Sequence, residues 1–397
     1  MRCIRNITED LVWVGVNNRR LMLFEGVYDA PKGVSYNSYL LLDEKTVLFD
    51  TVDEAVRGRF MENLSFALNG RELDYLVIQH VEPDHAAAIK DVLAAYPKVA
   101  LVGSEKTRAV LSRFIRNATL NFYIIDEKSL LITGRHSLRF VFTPMVHWPE
   151  VLMTYDETDK ILFSADAFGA FGATNGALFA DEVNFEVEYM DEARRYYANI
   201  VGKYGAQTQS ALKKLSGLEI KFICPLHSFI WRKDFEKILS KYDKWSKYEP
   251  EEKGVLIAYA SVYGNTENAA EFLALRLSEK GARVRMFDAS VTPASYIIAE
   301  AFRMSALVLA STTYNMGIFI TMEELIRDMI AHNIQKRAVA FIENGSWALT
   351  AGKLMQKEFE NAKNINFIEN VLTIDSSLKD EQVSDIEKLA NEIIARV

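Results

Sequence analysis

The pattern of apolar and polar residues changes character near residue 250. Before that point, short apolar or alternating runs predominate, and such runs are typical of strands. Consecutive strands with helices added on the outside predict two packed sheets that are covered by helices. The predicted strands are Tyr39–Leu42, Thr46–Phe49, Leu76–Gln79, Ala100–Val102, Leu138–Phe142, Val151–Tyr155 and Ile161–Ser164; the predicted helices are Asp84–Tyr96, Glu105–Arg116, Asp191–Tyr204 and Thr208–Ser216.

After residue 250 the pattern becomes a strict alternation of apolar strands and amphipathic helices. Five strands separated by helices predict an open parallel α/β sheet, in which ligands bind at loops off the carboxyl ends of strands. The predicted strands are Val255–Ala260, Arg283–Asp288, Ala306–Ser311, Ala338–Glu343 and Asn366–Leu372; the predicted helices are Asn265–Lys280, Ala294–Met304, Met322–His332, Ala351–Asn361 and Gln382–Ala395.

The segment between the two patterns indicates a linker. Lys244–Gly254 is charged, contains a Pro and a Gly, and lacks apolar periodicity. We therefore predict one domain over residues 1–249 and a second over residues 254–397. The full length of 397 residues suits two domains of this size.

Composition narrows the class of protein. The chain has only 2 cysteines, which excludes a disulfide scaffold and any module built on paired C-x-x-C motifs. A net charge of −8 without a basic run argues against a nucleic-acid partner. No long charge-free apolar stretch and no signal-peptide pattern is present, so we expect no membrane span and a cytoplasmic location.

Residues with metal-binding side chains follow several predicted strands. Pro83 keeps the segment after Leu76–Gln79 from forming one continuous helix, so alternate side chains can point at two different places. Burial of so many ionisable groups together is costly unless a metal holds them. The candidates are His80, Glu82, Asp84 and His85 in this segment, and His147, Asp166 and His227 after later strands.

The spacing H-x-E-x-D-H, followed by H, D and H, resembles the metallo-β-lactamase-like domain of flavodiiron proteins. Zinc hydrolases of the same superfamily usually have His at the position of Glu82, and a hard carboxylate there favours iron. The resemblance implies an αββα sandwich holding two Fe ions bridged by Asp166 and by a hydroxide or oxo group. It assigns His80, Glu82 and His147 to one iron, and Asp84, His85 and His227 to the other.

The same resemblance indicates residues beside the irons. Many family members have Phe-His-Gly where this chain has Phe24-Glu25-Gly26, so Glu25 replaces a histidine. Tyr196 and Tyr197 fall where an active-site tyrosine is common; the alternative is that both pack on a helix face. His136 and His332 match nothing in the family, and we expect them at the surface or at a helix end.

The loop after Val255–Ala260 has the chemistry of an anion site. Hydroxyl groups, a glycine and backbone N–H groups at a helix N-terminus bind anions without a lysine. The loop is neither a Walker motif nor G-x-G-x-x-G. Its pattern S-x-Y-G-N-T resembles the flavodoxin phosphate loop, which implies a flavodoxin-like, doubly wound parallel sheet that holds FMN on Ser261, Val262, Tyr263, Gly264, Asn265 and Thr266.

Two later loops complete the predicted FMN site. A flavodoxin-like domain places the flavin ring between the loops after its third and fourth strands, with an aromatic ring stacked on it. Trp347 is the candidate for stacking; the alternative is that it packs on the next helix. The loop residues are Thr313, Tyr314, Asn315, Met316 and Gly317, then Asn344, Gly345, Ser346 and Trp347.

The two predicted sites together imply a reductase. Reduction of dioxygen to water takes four electrons, and a di-ferrous centre and reduced FMN supply two each. The family reduces dioxygen to water or nitric oxide to nitrous oxide. Because the chain has no C-x-x-C module, we expect an external electron donor such as rubredoxin. The family also implies a head-to-tail homodimer, or a dimer of such dimers.

Two alternatives come from other classes of protein. A zinc-dependent hydrolase with a flavodoxin-like docking domain is the first, and Glu82 argues against it. An electron carrier with a structural metal is the second, and it is disfavoured because structural sites prefer closed Cys and His shells. A yellow protein with two irons per chain would favour the reductase, and a colourless zinc protein would contradict it.

Overall fold

The computed structural model describes residues 2–115 and 120–397. By its internal contacts the chain forms two compact units. Unit 1 contains Met1–Tyr197 and Ala206–Tyr242, and unit 2 contains Ala198–Gly205 and Asp243–Val397. Within the described ranges, no helix has the length and apolar character that crossing a membrane requires.

Short strands and helices make up the chain through Ser246, with several strands in succession. The strands are β1 (Arg5–Asn6), β2 (Leu11–Trp13), β3 (Val16–Asn18), β4 (Leu23–Phe24), β5 (Tyr28–Asp29), β6 (Val34–Tyr36), β7 (Tyr39–Leu42), β8 (Thr46–Phe49), β9 (Tyr75–Val77), β10 (Ala100–Gly103), β11 (Phe122–Ile124), β12 (Leu130–Ile132), β13 (Ser137–Phe142), β14 (Leu152–Asp156), β15 (Ile161–Phe163) and β16 (Phe222–Cys224). The α-helices are α1 (Arg57–Leu68), α2 (Pro83–Ala86), α3 (Ile89–Ala95), α4 (Glu105–Phe114), α5 (Phe185–Glu188), α6 (Met190–Tyr196), α7 (Gly205–Leu215) and α8 (Phe235–Ser246).

Unit 1 is built on two packed sheets. One has the strand order β1-β2-β7-β8-β9-β10-β11, and the other runs from β12 to β16 in sequence order. In β13, Leu138 and Phe140 are buried while Arg139 between them is exposed, as expected for a strand with one face on the core. The rings of Phe49 and Phe163, one from each sheet, stack with centroids 3.8 Å apart. This sandwich confirms the predicted fold of the first part.

Unit 2 is built on one sheet whose strands are parallel except for β20, which is antiparallel to β19. Its strands are β17 (Glu252–Ala260), β18 (Arg283–Asp288), β19 (Met304–Tyr314), β20 (Gly317–Ile318), β21 (Ala338–Gly345), β22 (Asn366–Phe367) and β23 (Leu372–Asp375). Its α-helices are α9 (Asn265–Glu279), α10 (Ala294–Arg303), α11 (Ile320–Ala331), α12 (Ala351–Glu358) and α13 (Val383–Ile394).

The strands of this sheet lie in the order β18-β17-β19-β21. Beyond β21, the edge position is shared by β22 and β23, both of which pair with β21. The sheet therefore has five positions in the order 2-1-3-4-5, with its switch point between β17 and β19. Val255, Leu256 and Ile257 are all fully buried, so both faces of β17 are covered. This arrangement confirms the predicted flavodoxin-like doubly wound sheet.

Several predicted elements differ from the structure. The single strand predicted over Asn366–Leu372 is two short strands, because Glu369 and Asn370 between them are exposed. The helix predicted over Asp84–Tyr96 is divided into α2 and α3, since the Ala88 N–H donates to the Val52 carbonyl rather than within a helix. The helix predicted to end at Arg116 ends at Phe114; Arg116 lies outside the described residues.

The predicted linker is shorter than the charge pattern suggests. Helix α8 continues to Ser246 and β17 starts at Glu252. Trp245 is fully buried and donates from its Nε1 to Glu251 Oε1 at 2.6 Å, so both ends of the polar segment are fixed in structure.

Candidate metal centre and flavin site

A buried aspartate positions the loop that carries four of the candidate ligands. Asp50 Oδ1 accepts from the backbone N–H of Gln79 at 2.8 Å and of His80 at 3.2 Å, and Asp50 Oδ2 accepts from Gln79 Nε2 at 2.9 Å. Directly after this anchor, α2 begins at Pro83, which suits the first position of a helix. The loop therefore holds His80 and Glu82 before the helix and presents Asp84 and His85 from its first turn.

The candidate ligands form two adjacent clusters. In the first, Glu82 Oε2 lies 3.1 Å from His80 Nε2 and 3.0 Å from His147 Nε2. In the second, Asp84 Oδ2 lies 3.2 Å from both His85 Nε2 and His227 Nε2. The two clusters contain, in order, His80, Glu82 and His147, then Asp84, His85 and His227, with Asp166 beside both.

Asp166 presents one carboxylate oxygen to each cluster. Its Oδ2 lies 3.1 Å from His147 Nε2 and 3.4 Å from His80 Nε2, whereas its Oδ1 lies 3.2 Å from His85 Nε2. The contact from Oδ1 to His227 Nε2 is longer, at 3.8 Å. A carboxylate placed in this way can bridge two metal ions.

The donor atoms fit a pair of metal ions. Both oxygens of Asp84, Nε2 of His147 and Oδ1 of Asp166 are buried without a hydrogen-bond partner. The Nε2 atoms of His85 and His227 lie 3.1 Å apart, so one metal ion could be bound by both nitrogens. The candidate ligands are three carboxylates and four histidine nitrogens, with no thiolate among them. Carboxylate and imidazole ligands of this kind suit iron.

Without metal, the carboxylates raise the pKa of two of the clustered histidines, His147 and His85. Burial lowers the pKa of His147, but the Asp166 and Glu82 carboxylates close to its Nε2 outweigh burial and raise the pKa to about 9. Burial also lowers the pKa of His85, but the Asp84 and Asp166 carboxylates outweigh burial and raise it. A metal that binds here takes over the charge balance that these protons otherwise provide.

Two contacts fix the orientation of two of the candidate ligand histidines. Nδ1 of His80 lies 3.0 Å from Glu150 Oε1, which also accepts from the Val81 N–H at 3.0 Å. Nδ1 of His227 lies 2.8 Å from the Ser35 carbonyl oxygen. An Nδ1–H that donates to an oxygen leaves Nε2 unprotonated for a metal. The sequence prediction does not include this role of Glu150. Its position directly after His147-Trp148-Pro149 was the available signal.

Of the two candidate tyrosines, Tyr196 lies beside the ligands. Its ring centroid is 5.4 Å from that of His227, and its buried hydroxyl has no hydrogen-bond partner. Burial, together with Asp166 and Asp84, raises the pKa of Tyr196 well above its ordinary value, so the hydroxyl stays a donor. Tyr197 instead packs against Tyr242 at 4.9 Å.

Glu25 lies on the turn between β4 and β5, with φ of 51°. Desolvation and the nearby Glu82 carboxylate raise its pKa to about 8. Glu25 is exposed in this turn, and among the candidate ligands Glu82 has the largest effect on its pKa.

The other two histidines fall in different places. His332 follows the last residue of α11, at a helix end as predicted. His136 was expected at the surface or a helix end, and this prediction is wrong, because His136 is fully buried. Its Nδ1 lies 2.7 Å from Asp156 Oδ2 and its Nε2 lies 2.9 Å from Asp10 Oδ2, which explains the burial of a charged imidazole.

The predicted phosphate loop lies at the switch point of the parallel sheet. Gly264 has φ of 89°, a left-handed conformation that glycine adopts without strain, and its N–H donates to Ser261 Oγ at 3.0 Å. Helix α9 starts at Asn265 without a side-chain cap. Its first N–H groups are thus available to an anion such as the FMN phosphate.

The two other predicted loops follow neighbouring strands at the same edge of the sheet. Ala260 of β17 is paired with Ser311 of β19, which is paired with Glu343 of β21. Asn315 and Met316, with φ of 49° and 62°, form the tight turn between β19 and β20.

Contacts between side chains and backbone hold these loops to one another. Asn344 Nδ2 donates to Thr266 Oγ1 at 3.3 Å, which connects the fourth-strand loop to the phosphate loop. Thr313 Oγ1 accepts from the N–H groups of Thr350 and Ala351.

Large apolar side chains at this edge are unusually exposed. Trp347 is 79% exposed and Tyr263 is 93% exposed, with Tyr314 and Met316 about half exposed. Trp347 therefore does not pack on the next helix. Exposed rings next to an anion site fit a cofactor that joins a flat aromatic system to a phosphate.

Comparison with known proteins identifies the family. The model for the ODP family of beta lactamases matches residues 34–228, and the flavodoxin model matches residues 257–388. A nitric oxide reductase from Moorella thermoacetica is 30% identical over 394 residues, which cover 98% of each chain. The chain belongs to the flavodiiron protein family.

Solved structures agree with this assignment. The flavodiiron protein from Giardia intestinalis superposes with a TM-score of 0.94 at 25% identity, covering 100% of this chain and 98% of that one. Rubredoxin oxygen:oxidoreductase from Desulfovibrio gigas superposes with a TM-score of 0.93 at 25% identity, covering 99% and 98%. As a flavodiiron protein, the chain takes FMN and a pair of iron ions as cofactors.

Proposed function

We propose that this flavodiiron protein reduces dioxygen to water and nitric oxide to nitrous oxide, using electrons that FMN receives from an external donor. The observation that carries the proposal is the position of Asp166, with one oxygen on each of two ligand clusters. That unit is joined in the same chain to a flavodoxin-like unit with an open anion site.

The named relatives support both gases as substrates. The Moorella thermoacetica relative is a nitric oxide reductase, and the Desulfovibrio gigas structure is a rubredoxin oxygen:oxidoreductase. The latter name also supports rubredoxin, or a protein like it, as the electron donor. We further propose the head-to-tail homodimer and the cytoplasmic location that the sequence predicts.

We assign the metal ligands by the two clusters. His80, Glu82 and His147 hold one iron; Asp84, His85 and His227 hold the other; Asp166 bridges them. When bound, the ferrous pair supplies two electrons and open coordination positions for a diatomic gas.

The chain itself orients and isolates the metal centre. The Glu150 carboxylate and the Ser35 carbonyl each hold a histidine ring so that its Nε2 faces the metals. Phe24 and Tyr36 place their rings 5.4 Å and 5.7 Å from the His227 ring, which excludes bulk water from that side. The Tyr196 hydroxyl is the donor that we assign to a bound oxygen atom of substrate.

The flavin is assigned to the three loops at the switch point. We propose that Ser261, Gly264 and Thr266 with the start of α9 bind its phosphate, and that Trp347 stacks on its ring. The remaining contacts come from Val262, Tyr263, Asn265, Thr313, Tyr314, Asn315, Met316, Gly317, Asn344, Gly345 and Ser346.

Metal replacement tests the proposal against the zinc hydrolase alternative. Holoenzyme with FMN and iron, supplied with reduced rubredoxin, is expected to consume dioxygen and nitric oxide in a gas-electrode assay. The same protein loaded with zinc should not consume nitric oxide and should not reduce dioxygen to water, because zinc has no redox chemistry; dioxygen uptake by its reduced flavin alone would release hydrogen peroxide. Equal nitric oxide consumption by the zinc and iron forms, or equal reduction of dioxygen to water, would contradict the assignment of the reaction to the metal pair.

A further inference from the structure

A cavity on unit 1 carries positive charge that the chain as a whole lacks. It has a volume of about 890 Å³ and lies between α1 and the segment that runs from Trp13 to Met22. Three arginines line it, Arg19, Arg20 and Arg59, against one carboxylate, that of Glu62. The lining of the cavity is therefore positively charged, whereas the whole chain has a net charge of −8. None of the proposed metal ligands lines this cavity.

The arginine charges in the cavity are not neutralised by carboxylates. Arg19 donates from Nη1 to Asn175 Oδ1 at 3.0 Å and from Nη2 to the Thr174 carbonyl. Arg59 donates from Nη2 to the Asn17 carbonyl at 3.0 Å. These neutral acceptors leave both guanidinium groups without a carboxylate partner. Asn17, the partner of Arg59, lines the cavity, whereas Thr174 and Asn175, the partners of Arg19, do not. Over residues 2–115 and 120–397, none of the three cavity arginines forms an ion pair.

The remaining walls of the cavity are partly apolar. Trp13, Val16 and Leu21 contribute to them. A ligand that fits this cavity would therefore combine several negative charges with an uncharged part.

We propose that this cavity binds a molecule with two or more phosphate groups attached to an aromatic or apolar part, of the nucleoside diphosphate class. The planar arginine group matches phosphate oxygens in a bidentate way, and arginines from two sides can hold adjacent phosphates. The volume lies within the range of small-molecule sites. A single inorganic phosphate would occupy only a small part of it.

Titration calorimetry on the holoenzyme, loaded with FMN and iron, tests the proposal with three probes. ADP carries both phosphates and an aromatic part, pyrophosphate carries the phosphates alone, and citrate carries comparable charge as carboxylates. We expect ADP to bind roughly tenfold more tightly than pyrophosphate or citrate. Equal affinities for ADP and citrate, or an absence of ADP binding, would overturn the proposal.

Three substitutions locate the binding. Arg20→Gln removes a side chain that has no ion pair and is not expected to disturb folding, and Arg59→Gln removes a charge from the opposite wall. Each is expected to weaken ADP binding roughly tenfold. Arg57→Gln is the matched control, since Arg57 lies on the same helix but pairs with Glu54 at 3.0 Å.

The control variant should keep the full affinity for ADP. ADP binding that survives both Arg20→Gln and Arg59→Gln would belong to the iron pair or the flavin site, and would overturn the assignment. Gas reduction does not enter this test, so the proposal stands or falls separately from the proposed function.

Discussion

At the scale of single residues, the sequence predicts the ligands better than the groups that support them. The motif from His80 to His85 is visible because its members are consecutive, and their side chains suit a metal in any fold. Glu150 lies 70 positions from His80 in the chain, so its contact exists only after folding. The burial of His136 depends in the same way on Asp10, 126 positions away.

The contact between Glu150 and His80 gives the first prediction. Glu150→Gln removes the negative charge that makes His80 a stronger metal ligand, and we expect ferrous affinity to fall by roughly 10- to 100-fold. Competition with a coloured chelator measures this affinity. Glu157→Gln is the control, because Glu157 pairs with Arg139 on the exposed side of a strand and should leave the affinity unchanged. An unchanged affinity in Glu150→Gln would refute the positioning role.

The burial of His136 gives a prediction for pH. Burial lowers its pKa, but the hydrogen bonds to Asp156 and Asp10 raise it overall to about 9. Since the folded-state pKa is raised, the stabilising effect is complete below the ordinary value of about 6.5 and is lost as pH rises through about 9.

We therefore expect His136→Gln to cost about 1–3 kcal/mol of local stability near pH 6, and much less near pH 10. Hydrogen exchange of the amides of β13 and β14 in urea measures the difference between the two proteins. A cost that does not change with pH would show that the imidazolium charge contributes nothing.

At the scale of elements, the sequence predicts seven of the sixteen strands that the structure describes before Ser246, and it misses the helices α1 and α8. Helix α1 buries Asn63 along with Phe60 and Leu64, so its apolar stripe is interrupted by a polar residue. Helix α8 buries Ile238, Tyr242 and Trp245. The linker predicted from Lys244 therefore includes the last three residues of this helix.

The start of α9 provides a prediction at this scale. Gly264→Ala places a side chain at φ of 89° with no close neighbour except Glu267 Oε2 at 3.9 Å, so its effect comes from backbone strain alone. Strain of about 1–2 kcal/mol in the phosphate loop should weaken FMN binding by roughly tenfold. Fluorescence of released FMN measures this.

The matched control lies just beyond the other end of the same helix. Gly281 has φ of 85° and open space around its Cβ position, so Gly281→Ala introduces similar strain away from the loop. FMN affinity should be unchanged there. Equal loss of FMN in both variants would indicate general destabilisation of unit 2 rather than a phosphate loop at Gly264.

At the scale of the whole molecule, both fold classes follow from the sequence, because strand-to-helix alternation and consecutive strands are local patterns. The family follows from the metal motif and the phosphate loop together. The division into compact units is less visible, since unit 2 also includes Ala198–Gly205, a short segment within the first part of the chain. No local pattern reveals that Asn199 donates to the Ser295 carbonyl at 3.1 Å.

The central claim is that a metal pair bridged by Asp166 and an FMN in the same chain reduce a diatomic gas together. Stopped-flow mixing of fully reduced holoenzyme with one equivalent of dioxygen tests it most directly. We predict that flavin and iron are oxidised in the same single turnover, with water as product and no hydrogen peroxide, and that nitric oxide oxidises the enzyme to give nitrous oxide. Flavin oxidation that yields stoichiometric peroxide while the iron stays ferrous, with no reaction towards nitric oxide, would contradict the account.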